Sequence, residues 1–174
     1  MSARQIQPTG RESPFGIEEI IVSKTDLKGR ITYANDVFLR VARYRAADIL
    51  GQPHSIIRHP DMPRAVFKLL WETIEAGSEI FAYVLNMAAN GDHYWVFAHV
   101  TPSFDAAGKI TGYHSNRRKP DPAQVAKIVP IYRTLLEIER AASDRKIGMN
   151  QARDRLLADL TSKGVSYDQF AFSL

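Results

Sequence analysis

Cysteine is absent from the 174 residues, and with it go disulfides, thiolate metal sites and any cysteine nucleophile. No run of about 18 apolar residues occurs. The opening stretch MSARQIQPTGRESPFG has no apolar core of signal-peptide type, so the expected compartment is the cytoplasm. Also missing are a phosphate-cradling glycine loop, a paired-carboxylate arrangement and a nucleophile set beside a base, which argues against an enzyme. His93, Tyr94, His99 and His114 alternate along strand-like segments without converging on one metal. What is present is ordinary: 45% hydrophobic and 24% charged residues describe a globular domain with room for one appendage. A net charge of +4 is a weak argument for nucleic acid or a membrane surface.

The chain divides by character. Residues 1–18 are polar, with Pro8, Gly10, Pro14 and Gly16, and read as a flexible arm. EIIVSKTD (19–26) and ITYAN (31–35) read as two strands joined at Gly29. NDVFLRVARY has helical spacing opened by Asn35 or Asp36, and AADILG makes a shorter helix that stops at Gly51. PRAVFKLLWETIEAG places Val66, Phe67, Leu70, Trp71 and Ile74 on one helical face. Three further strands follow, EIFAYVLNMA, HYWVFAHVTPSF and KITGYHSNRR. The first two are joined by ANGD, where Asn90 and Gly91 suit a two-residue turn with positive φ. Residues 19–119 therefore predict an α+β domain, a five-stranded antiparallel sheet with short helices on one face. Residues 120–174 predict a C-terminal helical extension of two helices, with Pro130 near the start of the first and Gly148 between them. The closing VSYDQFAFSL is apolar enough to dock.

One stretch stands out. SIIRHPDMPRAVF (55–67) sets Arg58, His59 and Asp61 among prolines, directly ahead of the clearest helix. Together with ITYANDVF and NGDHYWVFAHVTP it resembles the flavin-binding PAS domain of bacterial aerotaxis receptors, over about residues 19–119. The resemblance implies a PAS fold and a noncovalently bound FAD whose oxidation state reports on respiration or redox balance. FMN is the alternative flavin; the competing readings are a haem-binding PAS gas sensor and a cofactor-free PAS interaction module, and the lack of cysteine excludes a cysteinyl–flavin adduct. It also implies that Asn35, Arg58, His59 and Asp61 bind the flavin or take part in signalling. The sequence departs from the family at Ile80, where a tryptophan is usual, and at Met87 and Ala88, where a basic pair is usual. The receptors' membrane span and signalling rod are not found in it, so output is expected through a separate partner such as a chemoreceptor or kinase. The C-terminal helices are expected either to form a homodimer or to cap the sheet within one chain.

Each candidate has a structural reading beside the functional one. Asn35 and Asn86 carry amides that suit the donor–acceptor edge of a flavin, but Asn35 equally suits a helix cap. Arg58 can face the ring or a phosphate, or lie solvated on the surface. His59 can donate to the flavin, ligate haem iron, or bridge backbone groups at a helix start. Asp61 is expected chiefly to cap the long helix while fixing the loop that carries Arg58 and His59. Trp71 is counted as a candidate contact, although aromatic residues at such spacing are more often core.

Overall fold

The protein is described by a computed structural model covering residues 6–174. Two short strands, Ile21–Thr25 (β1) and Ile31–Ala34 (β2), open the sheet. Helices Asp36–Ala42 (α1) and Ala46–Ile49 (α2), a 3-10 turn at His54–Ile57 and helix Arg64–Glu75 (α3) follow. Strands Ile80–Met87 (β3), His93–Phe104 (β4) and Ile110–Arg118 (β5) complete an antiparallel sheet of order β2-β1-β5-β4-β3. Helices Pro122–Ala141 (α4), Arg145–Ser162 (α5) and Tyr167–Ser173 (α6) form the extension.

The two-residue period of the strands sorts their side chains. On β4, Tyr94, Val96, Ala98 and Val100 are buried, while Trp95, Phe97 and His99 between them are half-buried. The inner face packs with Phe38 and Val41 of α1 and Val66, Leu70 and Ile74 of α3 into one core.

The extension lies against β3, the free edge of the sheet. Edge strands expose unpaired backbone groups that invite another chain, and three of those on β3 are met from within. The Phe81 amide donates to Asp168 Oδ1 of α6 (2.9 Å) and the Tyr132 hydroxyl of α4 donates to the Tyr83 carbonyl (2.6 Å). The Leu85 amide reaches Met62 Sδ (3.4 Å). On the outer face Phe172 packs on Phe81 and Phe97, and Trp95 stacks on Tyr132. The apolar C-terminal segment thus docks, on its own chain.

Four local expectations are corrected. The β3–β4 connection is not a two-residue turn: Ala88 pairs with Asp92 across three residues, and Gly91 alone has positive φ (91°). Asn90 instead donates its amide to Asp92 Oδ2. The arm is not free over residues 9–15, which lie along this hairpin. The Thr9 amide donates to the Gly91 carbonyl (2.9 Å), Arg11 and Ser13 exchange backbone bonds with His93, and Phe15 is buried. A Cβ on Gly91 would stand 2.1 Å from the Gln7 carbonyl, so the arm needs glycine there. Residues 1–5 of that expected arm lie outside the described residues. Pro130 sits inside α4 and not near its start, removing one helix hydrogen bond on an exposed face. Gly148 lies within α5, the break falling at Ala142–Asp144, where Asp144 caps the Lys146 and Ile147 amides.

Candidate ligand-binding site

Between α3 and the inner face of the sheet lies a cavity of about 520 Å3, within the roughly 300–1,000 Å3 of small-molecule sites. Its walls are apolar, including Ile57, Leu70, Trp71, Ile74, Val84 and Val100. The Trp71 ring stands edge-on to Tyr113 at 5.4 Å.

One end is polar and buried. Arg117, on β5, is 2% exposed and lies over the Phe38 ring at 4.6 Å. It donates from Nη2 to Ser23 Oγ and stands 3.5 Å from His54 Nε2, which is 3.2 Å from Ser23 Oγ. Among the described residues no carboxylate lies within 4.0 Å of it. Burial pulls its pKa down to about 10, and burial together with the charge of Arg117 holds His54 near 3, a neutral imidazole at ordinary pH. Three side chains lining the cavity carry a buried polar atom without a hydrogen-bond partner: Asn86 Nδ2, Arg117 Nε and Thr25 Oγ1. Such orphans are rare in folded proteins and each costs about 1–3 kcal/mol. The three are spread along the cavity, Thr25 at the level of Tyr113 and Asn86 at the level of Tyr94 with Arg117 between them, so only an extended ligand meets all of them.

The solvent rim is charged, with Lys28, Arg58, Arg64, Lys68, Glu72 and Glu75. Glu72 is engaged by Arg153 of α5 (2.8 and 3.1 Å) and by Lys68 (2.9 Å), so its carboxyl titrates below the usual range. Arg58 is half-buried; desolvation and the charges of Arg64 and Arg145 lower its pKa, with Glu139 acting the other way.

Of the six residues singled out in the sequence, Arg58, Asn86 and Trp71 meet at this cavity. Asn86 and Arg58 are also joined by a backbone bridge between β3 and the loop before α3. Asn35, His59 and Asp61 are placed elsewhere. The Asn35 amide is committed to the backbone: Oδ1 accepts from Phe38 and Val22 (both 3.0 Å) and Nδ2 donates to Ile20 (2.8 Å). It caps α1 and ties it to β1. His59 is buried behind the loop, where its Nδ1 accepts from the Asp61 amide (3.0 Å), the bridging role weighed for it. Asp61 does not cap α3: Pro63 holds that position, and the Asp61 carboxylate pairs with Arg140 of α4 (2.8 Å). The Ala65 amide at the start of α3 is met instead by Glu139 Oε1 of α4 (2.8 Å).

Arg117, His54 and Ser23 were not anticipated. Arg117 could have been found by alternation, since Tyr113, Ser115 and Arg117 share a strand parity that points inward. A charged residue in a core parity marks a polar interior site. His54 gives no such signal, because a four-residue 3-10 turn has no readable period.

A sheet of this order with short helices over one face and a half-polar cavity beneath them is the PAS arrangement. The chain belongs to the PAS fold family, which matches residues 31–117. It is 40% identical over 127 residues to the aerotaxis receptor of Escherichia coli (strain K12), covering 73% of this chain and 25% of that protein. It is 28% identical over 99 residues to the nitrogen fixation regulatory protein of Klebsiella pneumoniae, covering 57% and 20%. The chain thus spans a quarter or less of these relatives. Among solved structures, the light state of the blue-light photoreceptor Aureochrome1 LOV superposes with a TM-score of 0.56 at 25% identity, over 68% of this chain and 93% of that one. These likenesses define a PAS sensor domain. Among the described residues no helix is long and apolar enough to cross a membrane.

Proposed function

We propose that this domain is a cytoplasmic redox sensor that holds a flavin, FAD, noncovalently in the cavity and passes its oxidation state to a separate signalling protein. The observation that carries the reading is Arg117, a buried guanidinium without a carboxylate partner among the described residues, in an apolar-walled cavity that the orphaned amide of Asn86 also lines. A buried charge is tolerated where something compensates it. A flavin, when bound, supplies reversible two-electron chemistry and a ring edge whose charge and hydrogen bonding differ between oxidised and reduced forms. The similarity to an aerotaxis receptor and to light-sensing LOV domains supports this ligand class.

The chain's own residues have distinct parts. Arg117 favours the negative charge that reduction adds, and its buried setting strengthens that interaction. Asn86 can donate or accept without changing charge. His54 stays neutral, so it orients Ser23 and Arg117 without adding a second cation. Trp71 and Tyr113 close the apolar wall, and Arg58 and Arg64 place positive charge where a phosphate meets solvent. Output runs along β3: Asn86 lies on it, and Tyr83 and Phe81 of the same strand hold α4 and α6. A change of about 1–3 kcal/mol at Asn86 is enough to shift such a docking equilibrium.

The absorption spectrum of the purified protein tests the reading, with chromatography of the chromophore released by heat. A flavin spectrum with released FAD is expected, and Arg117→Met is expected to lose the chromophore while keeping the fold. A single intense Soret band, or a colourless protein that refuses added FAD and FMN, would overturn it.

A further inference from the structure

The α4–α5 hairpin reaches past the sheet edge to the cavity itself. Met149 of α5 lines the cavity beside residues of α3, more than thirty positions beyond the last strand. Around it the hairpin is fastened at three points: Glu139 to the Ala65 amide, Arg140 to Asp61, and Arg153 to Glu72 through Nε and Nη2. Two of the three act on α3 and the third on the loop before it, so the hairpin grips the elements that form the cavity's outer wall.

The charges at this end are unbalanced. Arg58 and Arg64 line the rim, and Arg145 stands one helical turn before the cavity-lining Met149 on the same face of α5, its charge acting to lower the pKa of Arg58. None of the three has a carboxylate within 4.0 Å among the described residues. Of the nearby acids, Glu72 is held by Arg153 and Lys68, while Glu139, which accepts from the Ala65 amide, opposes the charges of Arg64 and Arg145 at Arg58 with the smaller effect. Docking α5 therefore brings a third cation towards two others, which weakens the docked state. An anion at the rim reverses the sign of that contribution. The orphaned Nδ2 of Asn86, on a residue 2% exposed that lines the same cavity and is bridged to Arg58, is a second, independent pointer to a ligand there.

We infer that Arg58 and Arg64, joined by Arg145 of α5, form a phosphate-binding rim against which α5 docks through Met149, so that an anionic ligand and the docking of the α4–α5 hairpin favour one another. The inference rests on the flavin reading for the identity of the ligand, not for the existence of the rim. By linkage, whatever the docked hairpin adds to ligand affinity, the ligand adds to docking. Loss of ligand then loosens α5 from α3, and the C-terminal helices become the part of the molecule that reports occupancy.

Hydrogen exchange at residues 144–153 of the full chain tests this, with FAD as probe and absorbance as an independent readout of binding. FAD is expected to slow exchange there by about fivefold or more, and the double variant Arg64→Gln, Arg145→Gln to lose most of that slowing. If FAD binds and exchange at 144–153 is unchanged, or if wild type and variant are slowed alike, the inference falls while the flavin reading stands. If no flavin binds, the flavin reading falls, and inorganic pyrophosphate decides the rim: slowing at 144–153 supports it and unchanged exchange overturns it.

Discussion

Replacing Tyr132 by phenylalanine isolates a single hydrogen bond between the C-terminal extension and the sheet. The Tyr132 hydroxyl is buried, donates to the Tyr83 carbonyl at 2.6 Å and lies 3.3 Å from the Tyr167 hydroxyl; burial raises its pKa well above 10, so it stays protonated at any workable pH. Phenylalanine keeps the ring and its stacking on Trp95, so the packing contribution cancels. What is lost is the bond to Tyr83 and with it the longer contact to Tyr167, leaving a carbonyl of the edge strand without its donor. A net hydrogen bond contributes about 1 kcal/mol and an abandoned buried acceptor costs about 1–3 kcal/mol, which sets the expected loss at about 1–2 kcal/mol. For a chain of this size each kcal/mol moves Tm by about 2–4 °C, so the midpoint should fall by roughly 2–8 °C. Thermal and urea unfolding measure it, with Tyr167→Phe as the control. That control should stay near wild type, because its hydroxyl has only the long contact to Tyr132. An unchanged Tm for Tyr132→Phe would refute the reasoning that α4 is bonded to the β3 edge.

Three further outcomes follow from the geometry. His54 is held neutral in the fold with a pKa near 3 but titrates near 6.5 when unfolded. Below pH 6.5 the unfolded chain therefore binds the extra proton and stability falls as pH drops. Between pH 6.5 and 5 this amounts to about 2 kcal/mol, and His54→Gln should remove that part of the slope in urea titrations. Gly148→Ala sets a Cβ 2.6 Å from the Glu139 carbonyl. Overpacking of about 1–3 kcal/mol outweighs the roughly 1 kcal/mol gained in helix propensity, so α5 should separate from α4 and exchange at the Ala65 amide should quicken. Removing residues 120–174 frees the Phe81 amide and the Tyr83 carbonyl along the β3 edge; the shortened chain should self-associate in sedimentation, and a well-behaved monomer would contradict the edge-protection reading.

The sequence by itself determined the strands and helices of residues 19–119 nearly to the residue, because alternation, helical spacing and glycine punctuation are local signals. HYWVFAHVTPSF reads as a strand and is one, from His93 to Phe104. It also pointed to Arg58, Asn86 and Trp71, which the fold gathers at one cavity. The ANGD turn misled because a two-residue and a three-residue connection share the same glycine, and only strand register distinguishes them. Asn35, His59 and Asp61 were ambiguous for a physical reason: a side chain that caps a helix and one that meets a ligand look the same until its hydrogen bonds are counted.

What tertiary structure alone decided lies in pairings far apart in the chain. Arg117 becomes a site residue only because β5 runs between β1 and β4, placing it beside Ser23 and His54. Glu139 replaces Asp61 at the start of α3 across 74 positions, and Met149 reaches a cavity whose other residues end at Arg117. No local pattern encodes such meetings. They follow from burial of the apolar faces of α4, α5 and α6 on the sheet edge and on α3, which fixes where the polar residues between those faces must fall.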